Sequence, residues 1–316
     1  MSTVTPFAYV AVVSAVSGAI TAWWRLRRDA PAQVVTPAAP PEPVDAEVTA
    51  RLMADERADR LRGLGELAEE ADADPELRQE CVDELVAHLS HVWPEWAAWQ
   101  AEVWDLLRPH LSPTSPRFWP GMDLHVEDFQ LHRVDLRGLE VRDAVFHEVW
   151  FAGDARFDDL ICTGLVSFAG ARFTRHAFFR GARFETGADF EDVVFTATAA
   201  FDGVTAGGPM WFDGVRFSAR TDFSSAEFAD VSFVDVGFAG RTTFRGARFA
   251  DAVFGEARFS GHADFTAVTA EGFDFTGTRA RTDVHVVRTW PPGWTLGPSR
   301  PRKPGQWADL RPPRRS

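Results

Sequence analysis

The sequence predicts an all-β stacked rod over residues 120–280, preceded by a small α-helical segment and one N-terminal transmembrane helix. Three observations predict it. An apolar residue recurs every fifth or sixth position after Met122, a small apolar residue stands two places before each, and Phe numbers 27 against a single Tyr.

The recurring centres begin at Val126, Leu131, Leu136, Val141, Phe146 and Phe151. They continue through Phe157, Cys162, Phe168, Phe173, Phe179, Phe184, Phe190, Phe195, Phe201, Ala206, Phe212, Phe217, Phe223 and Phe228, in alternating steps of five and six, and run on to Phe275. The small partners include Ala155, Ala171, Ala177, Ala188, Val193, Ala199, Val215 and Val231. A helix needs apolar residues about 3.6 apart, and a flat strand alternates at two without resetting. A short strand followed by a corner satisfies both facts, because residues i−2 and i share a face and the corner restores the phase. The core ladder read this way is Phe146, Phe157, Phe168, Phe179, Phe190, Phe201, Phe212, Phe223, Phe233, Phe244, Phe254 and Phe265. A hydroxyl inside such a ladder would lack a partner, which explains the avoidance of Tyr.

The Ala-Arg-Phe units at Ala171 to Phe173, Ala182 to Phe184, Ala247 to Phe249 and Ala257 to Phe259 carry a family resemblance. They resemble the pentapeptide-repeat family, whose unit is loosely Ala-Asp/Asn-Leu-x-x with Phe as an alternative centre. The resemblance implies a right-handed quadrilateral β-helix of four units per coil, and so roughly seven coils at about 4.8 Å each. The six-residue steps depart from the strict family pattern and predict a coil two positions longer than four equal units where the alternation holds. The segment Arg62 to Leu85, with Leu64-Gly65-Glu66-Leu67 and Pro75-Glu76-Leu77-Arg78-Gln79, is similar to the helical lead of actinobacterial members of that family.

The rest of the chain divides by composition. Residues 1–28 read as a transmembrane anchor with a basic flank, because Val4 to Trp24 holds no charge and is long enough to span a bilayer. Trp23 and Trp24 are interfacial aromatics, and Arg25, Arg27 and Arg28 follow, which places the bulk on the cytoplasmic side of the cell membrane in a single-pass topology. A cleaved secretory signal is the competing reading, but Met1 to Pro6 has no basic side chain. Residues 29–43 form a Pro/Ala-rich linker. Residues 44–119 are a helical cap, with one helix starting at Asp74-Pro75-Glu76 and another carrying Trp96, Trp99, Val103 and Trp104 until Pro109 and Pro113. Residues 281–316 are a basic Pro/Arg-rich tail with Arg300, Arg302, Lys303, Arg311, Arg314 and Arg315, a composition suited to anionic lipid or to a disordered solubilising segment. Pro291-Pro292-Gly293-Trp294 is placed to fold over the far end of the rod.

No catalytic, cofactor or metal site is predicted. Cys81, His88 and His91 share a helix face without a fourth ligand at diagnostic spacing, and they read as core Cys with surface His. His125, His132, His147, His176 and His262 share no motif. Carboxylate pairs such as Asp158 and Asp159, or Glu191 and Asp192, read as solvated faces. Gly207-Gly208 lacks the lysine of a phosphate loop and reads as a corner around Ala206. Cys81 and Cys162 offer no disulfide framework, which fits a reducing compartment.

The net charge is −13, and residues 120–280 hold 25 carboxylates against 15 arginines. An acidic body argues against direct nucleic-acid binding. The expectation is a non-enzymatic, membrane-tethered scaffold for an unidentified protein partner, with homo-oligomers through the coil ends compatible with the design. The alternative, implied by the family resemblance, is a DNA-mimicking inhibitor of DNA gyrase.

Overall fold

In the computed structural model, the described residues are 51–52, 56–90, 96–302 and 305–312. The predicted anchor, its flank Trp23, Trp24, Arg25, Arg27 and Arg28, and the linker lie outside them. Among the described residues no helix is long and apolar enough to cross a membrane.

Helices α1 (Arg57–Ala73), α2 (Arg78–His88) and α3 (Trp96–Leu111) pack as a small bundle. Leu64, Leu67, Cys81, Leu85, Trp99, Val103 and Leu107 are buried between them. Asp74 caps the expected start, accepting the Glu76 N–H at 3.0 Å, but Pro75–Leu77 forms a 3-10 turn before α2 begins. Helix α3 does not end at Pro109. It continues to Leu111, because a proline in the last turn deprives only one carbonyl of its partner.

From Leu124 onward the chain is a β-solenoid of about eight turns. Each turn lays down one short strand on each of four faces, named A to D in chain order. Face A holds Leu124–Glu127, Ala144–His147, Val166–Ser167, Ala188–Asp189 and Met210–Trp211, then the second halves of Glu227–Ser232, Arg248–Val253 and Thr269–Asp274. Face B runs from Gln130–Leu131 to Arg279–Arg281 and face C from Ala155–Arg156 to Arg288–Thr289. Face D runs from Glu140–Val141 into the first halves of the same three long strands. Neighbouring coils pair in parallel throughout.

The register shows how the steps of five and six work. Leu124 pairs with Ala144, twenty positions on, in a coil built of equal steps. Ala144 pairs with Val166, and Ala188 with Met210, twenty-two positions on. Met210 pairs with Val231, and Val231 with Ala252, twenty-one positions on. Five-residue corners, A to B and C to D, close as turns in which the small residue's N–H bonds the preceding Phe carbonyl, as in Ala171 to Phe168 at 2.9 Å and Ala182 to Phe179 at 3.0 Å. The extra residue of a six-residue step sits at the B to C corner, and at the D to A corner in the three coils that pass Cys162, Phe184 and Ala206. Past Phe228 the D to A corner has no extra residue, so strand runs through it unbroken from Glu227 to Ser232 and the coil is one position shorter.

The twelve Phe of the ladder are all at most 2% exposed. Those of face A stack from Phe146 through Phe168, Phe190, Phe212, Phe233 and Phe254 to Phe275 with centroids 4.8 to 5.1 Å apart. Face C stacks Phe157, Phe179, Phe201, Phe223, Phe244 and Phe265 in the same way, at 4.7 to 5.0 Å. Face B adds a third ladder from Phe151 to Phe259. Rings of A and C also meet edge to face, as Phe190 and Phe201 do at 5.4 Å, so the three ladders fill one dry core. Face D is the irregular one. Its centres are Val141, Cys162, Phe184, Ala206, Phe228, Phe249 and Ala270, all but the last buried.

There are eight rungs where the spacing predicted roughly seven, because the tail completes the last one. Arg288–Thr289 joins face C beside Ala263–Asp264, and Gln306–Arg311 runs antiparallel to Arg279–Arg281 at the end of face B. Trp290 lies over Phe265 at 5.7 Å and Trp294 over Phe275 at 4.8 Å, extending the ring columns. Arg288 is half-buried, with Nε donating to the Gly261 carbonyl at 2.9 Å. The described part of the tail is therefore a folded cap rather than a loose basic segment.

Candidate functional site: the lateral faces and their charge

Helices close the N-terminal coil end and the tail covers faces B and C of the last coil, so the lateral faces carry most of what the rod presents to other molecules. At the N-terminal end, three helix side chains bond the open backbone edge of the first coil. Gln79 of α2 donates to the Asp123 carbonyl at 3.0 Å and accepts the Asp123 N–H at 2.8 Å. Gln100 of α3 donates to the Gln130 carbonyl at 2.8 Å and accepts the His132 N–H at 2.7 Å, while Arg108 donates to the Asp135 carbonyl. Each amide imitates a missing strand on one face. Met122 serves the fourth face, its carbonyl accepting the Arg142 N–H at 2.8 Å. An open edge is a template for stray pairing, and here each face's edge is met.

Charge is sorted between faces. Face A and its corners carry Asp189, Glu191, Asp192, Asp213, Asp230, Asp235, Asp251, Glu256 and Asp274, and no arginine lies on its strands. Asp189 lies beside Trp211 of the next rung. Burial raises its carboxyl to about 7, opposed by the N–H of Glu191 at 2.8 Å and reinforced by the charges of Glu191, Asp213 and Asp192. Asp213 is also raised, chiefly by burial, although Ser232 and the Val234 N–H hydrogen-bond to it. Crowding of like charge is thus built into this face.

Face B has the opposite sign. Its outward strand positions read Trp150, Arg172, Val194, Arg216, Gly237, Arg258 and Arg279 through successive rungs. The next outward positions are Ala152, Thr174, Thr196, Ser218, Ala239 and Ser260, so neither row contains a carboxylate. Arg175, Arg220 and Arg241 extend the basic surface onto the B to C corner. Arg258 pairs with Asp235 at 2.5 Å and Arg220 with Asp222 at 2.8 Å, whereas Arg172, Arg175 and Arg216 are exposed and make no salt bridge with a described residue. Faces C and D mix both signs, with Arg180 bridging Asp158 and Asp202 and lying over Phe178 at 4.6 Å.

The chemistry-bearing residues singled out from the sequence do not converge. Cys81 and Cys162 are buried free thiols in different parts of the fold, and burial pushes Cys81 up to about 12. His88 hydrogen-bonds the Glu84 carbonyl at 2.9 Å, and His91 lies outside the described residues. The cluster that could suit a cation, Asp123, His125 and Asp143, is already served. Arg142 forks onto Asp123 with Nε at 2.8 Å, and Asp143 accepts the Leu165 N–H at 2.8 Å. Gly207 and Gly208 form the D to A corner, where a Cβ on Gly208 would stand 2.1 Å from the Thr186 carbonyl oxygen. The feature not seen in the sequence is Trp150, 50% exposed at a position that is otherwise polar or small. A tryptophan immediately before a centre was its only signal.

The family model described as pentapeptide repeats, in nine copies, matches residues 161–205. That match covers two complete solenoid turns whose pattern extends from Val126 to Phe275. Residues 161–205 are pentapeptide repeats, and the solenoid they sit in supports that family for the rod. No curated protein and no solved structure matches the chain. Pentapeptide-repeat solenoids are generally structural or interaction modules, and the pentapeptide-repeat rod here presents walls without a reactive constellation among the described residues.

Proposed function

We propose that this pentapeptide-repeat protein is a membrane-tethered interaction scaffold whose recognition surface is face A, and whose partner is a protein with a complementary basic surface. The observation that carries the reading is the acidic face without a compensating arginine on its strands. Carboxylates held in mutual repulsion cost the rod stability, and a cationic partner relieves that cost. In this reading the coil is right-handed, Val4 to Trp24 is the single-pass anchor in the cell membrane, and the rod stands on the cytoplasmic side.

The gyrase-inhibiting DNA mimic is not favoured. A duplex is anionic all round, whereas this rod sets an arginine face beside its acidic one.

A photo-crosslinking amino acid at Glu191, on face A, and another at Thr163, on face D, test the proposal in cells expressing the full chain. Crosslinks to a basic protein from Glu191 alone, lost when Asp192 and Asp213 are changed to Asn, are expected. Equal yields from both positions would refute face A as the recognition surface.

A further inference from the structure

We infer that face B is a docking surface for an anionic lipid bilayer, so that the rod lies on the membrane along its arginine wall and holds face A at its flank for a partner. The inference rests on the tethered reading above, and its own support is geometric. A β-solenoid wall is flat and without a groove, and its strand row alternates Arg172, Arg216 and Arg258 with Val194 and Gly237. Rungs about 4.8 Å apart set Arg172 and Arg216 about 10 Å from each other, in a plane that meets many headgroups at once. A single nucleic-acid strand calls instead for a channel with stacking platforms.

Trp150 supplies the second observation. It is exposed at the N-terminal end of this same row, and an indole with one apolar face and one N–H donor favours the bilayer interface. Opposite charge on face A reaches face B at their shared corner, where Asp235 pairs with Arg258 at 2.5 Å, and it leaves Arg172, Arg175 and Arg216 exposed without a salt bridge to a described residue. Reach is also met. Fifteen linker residues, 29–43, extend up to about 50 Å, more than the roughly 34 Å that seven rung spacings span.

The experiment uses the full chain carrying either Ser218→Cys, on face B, or Thr163→Cys, on face D, each labelled with an environment-sensitive dye. The native thiols are buried and do not compete for label. Flotation is run with phosphatidylcholine vesicles and with vesicles containing phosphatidylglycerol, and dye depth is read by spin-labelled lipids. The chain should float with both, while the face B dye is quenched only where phosphatidylglycerol is present and the face D dye in neither. Changing Arg172, Arg175 and Arg216 together to Gln should lower the docking equilibrium constant roughly a hundredfold, at about fivefold per arginine. Equal quenching of the two dyes, or none at face B in floated vesicles, overturns the inference. Flotation with phosphatidylglycerol alone, with face B quenched, upholds the surface and removes the tether. Arginine-dependent retention of duplex DNA without face B quenching overturns it in favour of nucleic acid.

Discussion

Replacing Asp189 with Asn should stabilise the rod at neutral pH and erase one segment of its pH dependence. The folded carboxyl is raised to about 7 from an ordinary 3.8, first by burial. Between those two values the folded state keeps a proton that the unfolded chain has released. Stability contributed by Asp189 is therefore full below about pH 4, falls as pH rises, and is lost above about pH 7. Three units at about 1.4 kcal/mol each set a ceiling of about 4 kcal/mol. Asp189 is partly exposed beside Trp211, so water and counter-ions bring the expected gain at pH 8 to about 1–3 kcal/mol. Asn keeps the oxygen that accepts the Glu191 N–H at 2.8 Å, so the turn should survive. Urea unfolding of both proteins from pH 4 to pH 8 measures the difference, which should be near zero at the acid end and flat above pH 7. A difference of constant size across that range would refute the argument, since ionisation of the buried Asp189 carboxyl could not then be its source.

Six other substitutions, two of them controls, probe the rod itself. Phe201→Ala removes a ring stacked between Phe179 and Phe223 and should cost about 3–5 kcal/mol in denaturant midpoint, whereas Glu191→Ala should change it by less than about 1. Thr221→Val should stabilise by about 1 kcal/mol in the same assay, because the buried Thr221 hydroxyl has no partner among the described residues in a column that reads Ala155, Ala177, Ala199, Thr221, Thr242 and Ala263 through successive rungs. Gly208→Ala drives a methyl toward the Thr186 carbonyl and should lower thermal stability by about 1–3 kcal/mol, while Gly237→Ala, with nothing within 4 Å, should be close to neutral. Gln100→Ala strands the edge groups of Gln130 and His132 and leaves the Leu89 carbonyl with the longer Trp96 Nε1 bond at 3.4 Å, and hydrogen exchange in the first coil should rise as stability falls by about 2–4 kcal/mol.

The core was legible because its signal is one-dimensional. Phe168 and Phe190 lie one coil apart, stack at 4.9 Å, and each has its small partner two places earlier, so period alone marks both as inward. The capping segments were legible, but the side chains that close the coil edge were not, for a physical reason. Gln79 and Gln100 are ordinary polar residues on helices, and nothing local distinguishes an amide that faces water from one that completes a strand edge. In the tail, the cover at Pro291 to Trp294 was legible and the strands Arg288–Thr289 and Gln306–Arg311 were not. Trp290 and Trp294 extend two ladders, but Pro291-Pro292-Gly293 between them breaks the period by which a ladder is recognised.

The charge pattern shows why composition misled about surfaces. Steps of five and six mean that two residues share a face only when their separation equals a whole number of coils, and the coils themselves differ in length by up to two positions. Arg172 and Arg216 lie two coils apart, and so do Arg216 and Arg258, although the second interval is shorter by two positions. Read with one fixed coil length of 22 positions, Arg258 would fall two places off the row that Arg172 and Arg216 share, and 25 carboxylates against 15 arginines would read as an evenly acidic rod. Hydrogen-bonded register fixes which coil length applies at each rung, and with it the separation of an acidic wall from a basic one. Deleting Gly208 would test this dependence directly. It would shorten one D to A corner to the five-residue form seen at Glu227–Ser232 while leaving every later face in place. Dye or crosslink positions on Ser218 and Arg258 should therefore keep their face assignments, since the corner and not the strand absorbs the change; a switch of Arg258 to the acidic wall would show instead that register is set along the chain and not by the coil beneath.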